Sequence, residues 1–249
     1  MLRGIWVRCV LLVTTAVLGT LITIVVLLVP RWSNFLVYAG RVWAWLLLAA
    51  AGVRVTYHGR EHAQVHGPCI FIANHQSAVD IVAMLGLIPP GTRFVAKQEL
   101  FRVPIFGWAL AASGCVPIDR SNRAEAIRSL SVAAKRIRDG RSVVLFPEGS
   151  RSRNGSLGPF KKGAFHLGVQ AGVPVVPVAI VGSFDIFPPG SLRVIPGSVE
   201  VFVEPPVDVT PFQPDDHDGL SVVVRSAIER RFHDRRPPRQ GRVRPQETS

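Results

Sequence analysis

The chain has 249 residues, which is enough for one large domain with a substantial core and an appendage. Its formal net charge is +12, and only four of its 29 basic residues are lysine. This charge favours an anionic partner: nucleic acid, an acidic membrane surface or a phosphorylated substrate. Cys9, Cys69 and Cys115 lie far apart in apolar segments without a C-x-x-C pair, which argues against a structural disulfide or a zinc site and predicts reduced thiols.

Residues 1–55 are predicted to form a membrane anchor. Residues 9–29 carry no charge, and a helix of that length spans roughly 30 Å, the thickness of the bilayer hydrocarbon. A second apolar segment, residues 35–53, is expected to lie in the interface or to pair with the first helix as a re-entrant hairpin. A cleaved signal peptide is the alternative, but the apolar run is too long and lacks an A-x-A-like site. Arginines flank both sides of the first run, which leaves its orientation open.

Residues 56–234 have the pattern of an α/β domain, in which short β-rich runs alternate with helical segments. Several runs are apolar on both faces, which predicts a central, largely parallel or mixed sheet flanked by helices. The predicted strands are residues 53–57, 69–73, 93–96, 115–118, 142–146, 175–181 and 199–203.

The sequence predicts three helices in this domain. Ser77 with Asp80 resembles a capping box for a helix to about residue 87, and Asn122 with Glu125 begins another that ends at Gly140. A last helix is predicted over residues 220–232. Residues 235–249 contain proline, glycine and five arginines against one acid, which predicts a basic disordered tail.

Three predicted strands run into polar clusters: NHQSAVD (residues 74–80), GCVPIDR (114–120) and LFPEGSRS (145–152). His75 and Asp80 cannot share a helix face, but they can meet if His75 precedes the helix and Asp80 lies in its first turn. A carboxylate can then hold one imidazole nitrogen and leave the other as a base. The alternative is a helix start that carries both by chance. Because ligands collect at the carboxyl ends of strands in α/β sheets, the recurrence of such clusters predicts one cleft.

These segments, with VPVVPVAI (173–180) and KQEL (97–100), resemble the sequence blocks of the glycerolipid acyltransferases, best known from the 1-acylglycerol-3-phosphate acyltransferases. The resemblance covers about residues 57–206. It implies a glycerol-3-phosphate acyltransferase-like fold. It also implies transfer of a fatty acyl group from acyl-CoA or acyl carrier protein to the sn-2 hydroxyl of 1-acyl-sn-glycerol 3-phosphate. The product is phosphatidic acid, made at a membrane by a domain that we expect to face the cytoplasm.

The same resemblance implies the site residues. His75 is the expected general base and Asp80 its orienting partner, with no metal or other cofactor. Ser150 stands where the family more often has threonine, and it keeps the hydroxyl. The expected residues of the acceptor site and its surroundings are Asn74, Ser77, Lys97, Arg120, Glu148, Gly149, Ser150 and Arg151.

Other interpretations remain open to different degrees. The acceptor could instead be glycerol 3-phosphate, another lysophospholipid or a glycolipid. A membrane-anchored nucleic-acid-binding protein is disfavoured, because the aromatic residues lie in the anchor and core-like runs instead of among the arginines. An acyl-enzyme is not expected, since the chain has no G-x-S-x-G and Cys115 lies in an apolar strand.

Overall fold

The computed structural model describes residues 2–29, 36–119, 123–213 and 216–235. Seven strands form one mixed sheet in the order β1-β7-β6-β2-β5-β3-β4, and every neighbouring pair is parallel except β6 and β7. All seven predicted strands and the fold class are therefore confirmed. The strands are β1 Val53–His58, β2 Ile70–Ala73, β3 Arg93–Lys97, β4 Val116–Ile118, β5 Val143–Leu145, β6 Val175–Val181 and β7 Gly197–Val203.

Helices cover both faces of the sheet. They are α1 Leu2–Leu28, α2 Leu36–Ala51, α3 Val79–Leu87, α4 Phe106–Ala112, α5 Arg123–Arg138, α6 Gly163–Ala171, α7 Ser183–Ile186 and α8 His217–Arg235, with 3₁₀ helices Arg60–Ala63 and Gln98–Arg102. The last helix extends three residues beyond its prediction at each end. Gly140 ends α5 with a φ of 82°, as expected, whereas Asn122 and the predicted tail from residue 236 onward lie outside the described residues.

The core has two layers, one on each face of the sheet. Ile70 and Ile72 of β2 point into a cluster with α5, α6 and α8, while Phe71 and Ala73 point into a cluster with α3. Strands buried on both faces read as continuous apolar runs instead of alternating ones. This explains why β2 and β6 stand out so clearly in the sequence.

The first 51 residues contain two apolar helices, as predicted. α1 is long and apolar enough to cross a membrane by its length and composition, and only 6% of its most apolar window is buried. It begins at Leu2, before the predicted residue 9, and so includes Arg8, which donates hydrogen bonds to the carbonyls of Gly4 and Leu192 (3.2 and 3.0 Å). β1 begins at Val53, so the sheet starts inside the segment assigned to the anchor.

α1 is attached to the α/β domain at two points. Near its start, Gly4 packs directly against the carbonyl of Leu192. Further along, a methyl group at Gly19 would lie 2.9 Å from Cγ2 of Ile105, which precedes α4. Glycine is required at both positions because the neighbouring atoms approach the helix backbone too closely for a side chain. The helix therefore lies along the domain between these two points.

Candidate active site

The carboxyl end of β2 brings His75 and Asp80 together. His75 follows the strand, Asp80 lies in the first turn of α3, and the imidazole Nδ1 is 2.8 Å from Asp80 Oδ2. Both residues are buried, at 8% and 0% exposure. Because a carboxylate accepts, Nδ1–H donates, and the neutral ring then carries its lone pair on Nε2.

Asp80 is held in place by the backbone before it. Its Oδ2 also accepts hydrogen bonds from the N–H groups of Gln76 (2.6 Å) and Ser77 (2.7 Å). The second of these is one half of the predicted capping box. The other half differs, because the Ser77 hydroxyl accepts from the Val79 N–H (3.2 Å) instead of the Asp80 N–H. Three donors on one oxygen fix the orientation of the carboxylate.

The His75 ring and backbone are fixed from the side of β5. Its ring stacks on Phe146 with centroids 4.2 Å apart. The Glu148 carboxylate accepts from the His75 N–H (2.6 Å) and the Gly158 N–H (2.9 Å), and the Ser152 N–H donates to the His75 carbonyl (2.9 Å). The turn after β5 therefore holds the histidine on both sides of its main chain.

These contacts tie Glu148 to the main chain around His75. Its two oxygens accept from backbone amides inside the protein, so they are not directed at a substrate. Burial raises the pKa of this carboxyl, and the hydrogen bonds from His75 and Gly158 oppose that rise. The structure makes Glu148 a positioning residue for His75.

Asn74 and Ser77 are likewise hydrogen-bonded within the protein. Asn74 is fully buried, and its amide donates to the Ile180 carbonyl (2.8 Å) and accepts from the Ile180 N–H (2.7 Å). The Ser77 hydroxyl donates to the Phe187 carbonyl (2.8 Å) and is buried as well. Their hydrogen bonds connect the end of β2 to β6 and to the segment after α7, so they help to position the residues around His75.

Other predicted residues line the same edge of the sheet. Lys97 ends β3 with its side chain 54% exposed and paired with Glu99 (2.8 Å), and Ser150 and Arg151 are exposed in the turn after β5. Because β2, β5 and β3 are adjacent and parallel, their carboxyl ends lie side by side, spaced by about 4.8 Å per strand. Gly149 adopts a left-handed φ of 72°. Arg120 lies outside the described residues.

Lys161 is a cation at this edge that the sequence reasoning missed. Its N–H donates to the Pro147 carbonyl (2.8 Å), and a methyl group at Gly149 would lie 3.0 Å from its Nζ. Among the described residues no carboxylate pairs with Lys161, whereas its neighbour Lys162 pairs with Asp218 (2.8 Å). The eleven residues between Gly149 and Lys161 give no periodic signal, so only the fold brings these two residues together.

The model of a family described as Acyltransferase matches residues 54–181, the segment that contains the His75–Asp80 pair and the turn after β5. The chain belongs to the acyltransferase family. This confirms the resemblance seen in the sequence motifs.

Several curated relatives of this acyltransferase carry one activity in their names. The chain is 37% identical over 179 residues to 1-acyl-sn-glycerol-3-phosphate acyltransferase alpha of Ovis aries, and the alignment covers 71% of this chain and 62% of the relative. It is 40% identical over 141 residues to the chloroplastic enzyme BAT2 of Brassica napus, covering 56% and 41%. A relative in Limnanthes douglasii is 34% identical over 212 residues, covering 83% and 74%. The aligned regions thus span less than two thirds of the first two relatives.

The acyltransferase fold also matches a solved structure. The crystal structure of the 1-acyl-sn-glycerophosphate (LPA) acyltransferase PlsC from Thermotoga maritima superposes with a TM-score of 0.81 at 26% identity, covering 92% of both chains. Because the match covers nearly the whole of both chains, it extends beyond the residues that the family model covers.

Proposed function

We propose that this acyltransferase transfers a fatty acyl group from acyl-CoA or acyl carrier protein to the sn-2 hydroxyl of 1-acyl-sn-glycerol 3-phosphate, making phosphatidic acid in phospholipid biosynthesis. The observation that carries the chemistry is the buried hydrogen bond between His75 and Asp80, beside a turn with exposed cations. The names of the relatives support the acceptor.

His75 acts as the general base. Its Nε2 takes the proton of the acceptor hydroxyl as the oxygen attacks the thioester carbonyl. The tetrahedral intermediate then collapses, the carbon–sulfur bond breaks, and the thiol leaves with the proton returned by the imidazolium. Asp80 keeps the ring in the tautomer that presents Nε2 and stabilises the imidazolium. Such base catalysis typically contributes about 10² to 10⁴ in rate, which suffices for a thioester that is already activated.

The exposed cations hold the acceptor phosphate. Arg151 follows the turn after β5, Lys97 ends β3, and the Lys161 ammonium packs on Gly149 between the turn and α6. Arg120 is proposed to join them, as the resemblance implies. A phosphate bound to these groups fixes the position of the attacking hydroxyl, which lowers the entropic cost of the reaction.

Lys161→Gln tests the added cation. We expect the KM for the acceptor to rise about threefold to tenfold with little change in kcat, because an exposed charge contributes mainly uniform binding. Lys162→Gln is the matched control, since that ammonium is paired with Asp218. Equal acceptor KM values for the two variants would remove Lys161 from the phosphate site.

We further propose that α1 and α2 hold the enzyme on one leaflet of the membrane, with the catalytic domain facing the cytoplasm. α1 is fastened to the domain from Gly4 to Gly19, which is about 22 Å of helix. Only nine further residues follow to Leu28, about 14 Å, which is short of the roughly 30 Å needed to cross. The helix pair therefore lies partly immersed beside the site, where a lipid acceptor can reach it.

The test of the function is acyl transfer by the purified protein in lipid vesicles. Labelled oleoyl-CoA and oleoyl-acyl carrier protein are each offered with lysophosphatidic acid, glycerol 3-phosphate or lysophosphatidylcholine. Acylation confined to lysophosphatidic acid supports the proposal, and the two donor series identify the donor. Activity confined to another acceptor would keep the chemistry and overturn the substrate. Absence of transfer with every pair would overturn both.

A further inference from the structure

The segment from the end of the 3₁₀ helix Gln98–Arg102 into the first turn of α4 exposes large apolar side chains next to the apolar helices. We call residues 102–108 the corner. Within it Val103 is 45% exposed and Trp108 is 58% exposed, and Arg102 is exposed beside them. A tryptophan is an amphipathic side chain that is costly to leave in water and is enriched at membrane interfaces.

The corner is built around a strained turn. Ile105 has φ 63° and ψ −57°, and the Phe106 N–H donates to the Pro104 carbonyl (2.6 Å), which is the geometry of a γ-turn. A β-branched residue at positive φ is rare and persists only where its surroundings impose it. Among the described residues Ile105 is the only non-glycine residue with positive φ.

The turn packs against α1. The Ile105 side chain packs against α1 at Gly19, where the helix has no side chain. A methyl group at Gly19 would also lie 3.8 Å from the Cβ of Ala109. On the adjoining side, the rings of Trp43 in α2 and Phe106 in α4 are 6.4 Å apart. The corner is therefore attached to both apolar helices, and the strained turn lies at the contact with α1.

The two helices that contact the corner, α1 and α2, also expose apolar side chains. α1 exposes large apolar side chains along its length, and α2 exposes Val42 and Trp45 by 51% and 66%. Exposed apolar side chains concentrated on two neighbouring helices mark an interaction site, and a helix of the length and composition of α1 indicates lipid. Arg102 lies next to Val103. Its guanidinium can pair with lipid phosphate while the aliphatic part of its side chain stays on the apolar surface. Six of these side chains on α1 are 55% to 70% exposed, namely Ile5, Trp6, Leu12, Val13, Val17 and Leu21.

We propose that the corner is a third membrane-contacting element, in which Trp108 and Val103 enter the headgroup region of an anionic bilayer beside α1 and Arg102 pairs with lipid phosphate. This inference rests on the membrane association proposed above. If the corner contacts the bilayer, Lys97 lies close to the lipid from which the acceptor comes. The 3₁₀ helix Gln98–Arg102 leads directly from Lys97 to the corner, and its five residues span about 10 Å. Docking the corner places Lys97 within about that distance of the lipid headgroups.

Depth-dependent fluorescence quenching tests this contact. The full-length protein is bound to vesicles of phosphatidylcholine and phosphatidylglycerol that carry brominated acyl chains, and the emission lost in Trp108→Phe isolates the contribution of Trp108. We expect that contribution to be quenched by bromines near the headgroups. A Trp108 contribution that stays unquenched, on protein that binds the vesicles fully, overturns the corner alone. Failure of the wild type to bind vesicles overturns the membrane association as well.

Kinetics give a second readout that a structural defect would not reproduce. Trp108→Ser should raise the apparent KM for an acceptor presented in vesicles by about threefold to tenfold and leave the rate with a monomeric short-chain acceptor unchanged. Val222→Ser is the matched control, because Val222 is 64% exposed on α8. Equal vesicle KM values for the two variants would overturn the proposal, as would a loss of rate by Trp108→Ser on the monomeric acceptor.

Discussion

His75→Ala should lower kcat/KM for acyl transfer by about 10² to 10⁴, the usual contribution of a general base. The acceptor alcohol loses the group that takes its proton, and no other histidine among the described residues is hydrogen-bonded to Asp80. His75→Gln should be as inactive, because an amide can still bond to Asp80 but cannot accept a proton at neutral pH. Initial rates at saturating donor over a range of lysophosphatidic acid concentrations measure the loss.

The control for this prediction is His66→Ala, since His66 is exposed in the connection before β2. It should retain full activity. Thermal unfolding of His75→Ala should stay close to that of the wild type, because its ring makes one hydrogen bond and one aromatic contact. Activity of His75→Ala within a few-fold of the wild type would rule out the general-base role.

Asp80→Ala should cost both activity and stability. The Gln76 and Ser77 N–H groups are buried and would lose their acceptor, at about 1–3 kcal/mol for each unpaired donor. The His75 ring would also lose the carboxylate that sets its tautomer, so we expect kcat to fall by at least about 10². Denaturant unfolding and kinetics on the same preparation measure the two effects.

Asp80→Asn separates these contributions. The amide oxygen can still accept from the backbone, so the loss of stability should be smaller than in Asp80→Ala while the loss of activity stays large. If Asp80 acts through His75, the double variant His75→Ala, Asp80→Asn should be about as inactive as His75→Ala alone. Multiplicative losses in the double variant would show that Asp80 acts independently of the histidine.

The hydrogen-bond partners of Asn74, Ser77 and Glu148 depend on the fold. Motif spacing indicated which residues gather near His75, and the structure finds Asn74, Ser77 and Glu148 there. It could not indicate which way each side chain points, since that depends on partners far along the chain. Asn74 bonds to Ile180, 106 residues away, and Glu148 bonds to the His75 backbone, 73 residues away.

By itself the sequence determined the strands, the apolar helices and the His75–Asp80 pairing, because each depends on local apolar runs, on helix-start chemistry or on a spacing of five residues. Only the tertiary structure decided the inward role of Glu148, the approach of Lys161 to Gly149, and the attachment of α1 at Gly19 to the strained turn at Ile105. These features arise where segments distant in the chain pack together. Packing depends on the shape and closeness of side chains in three dimensions, which periodicity along the chain does not encode.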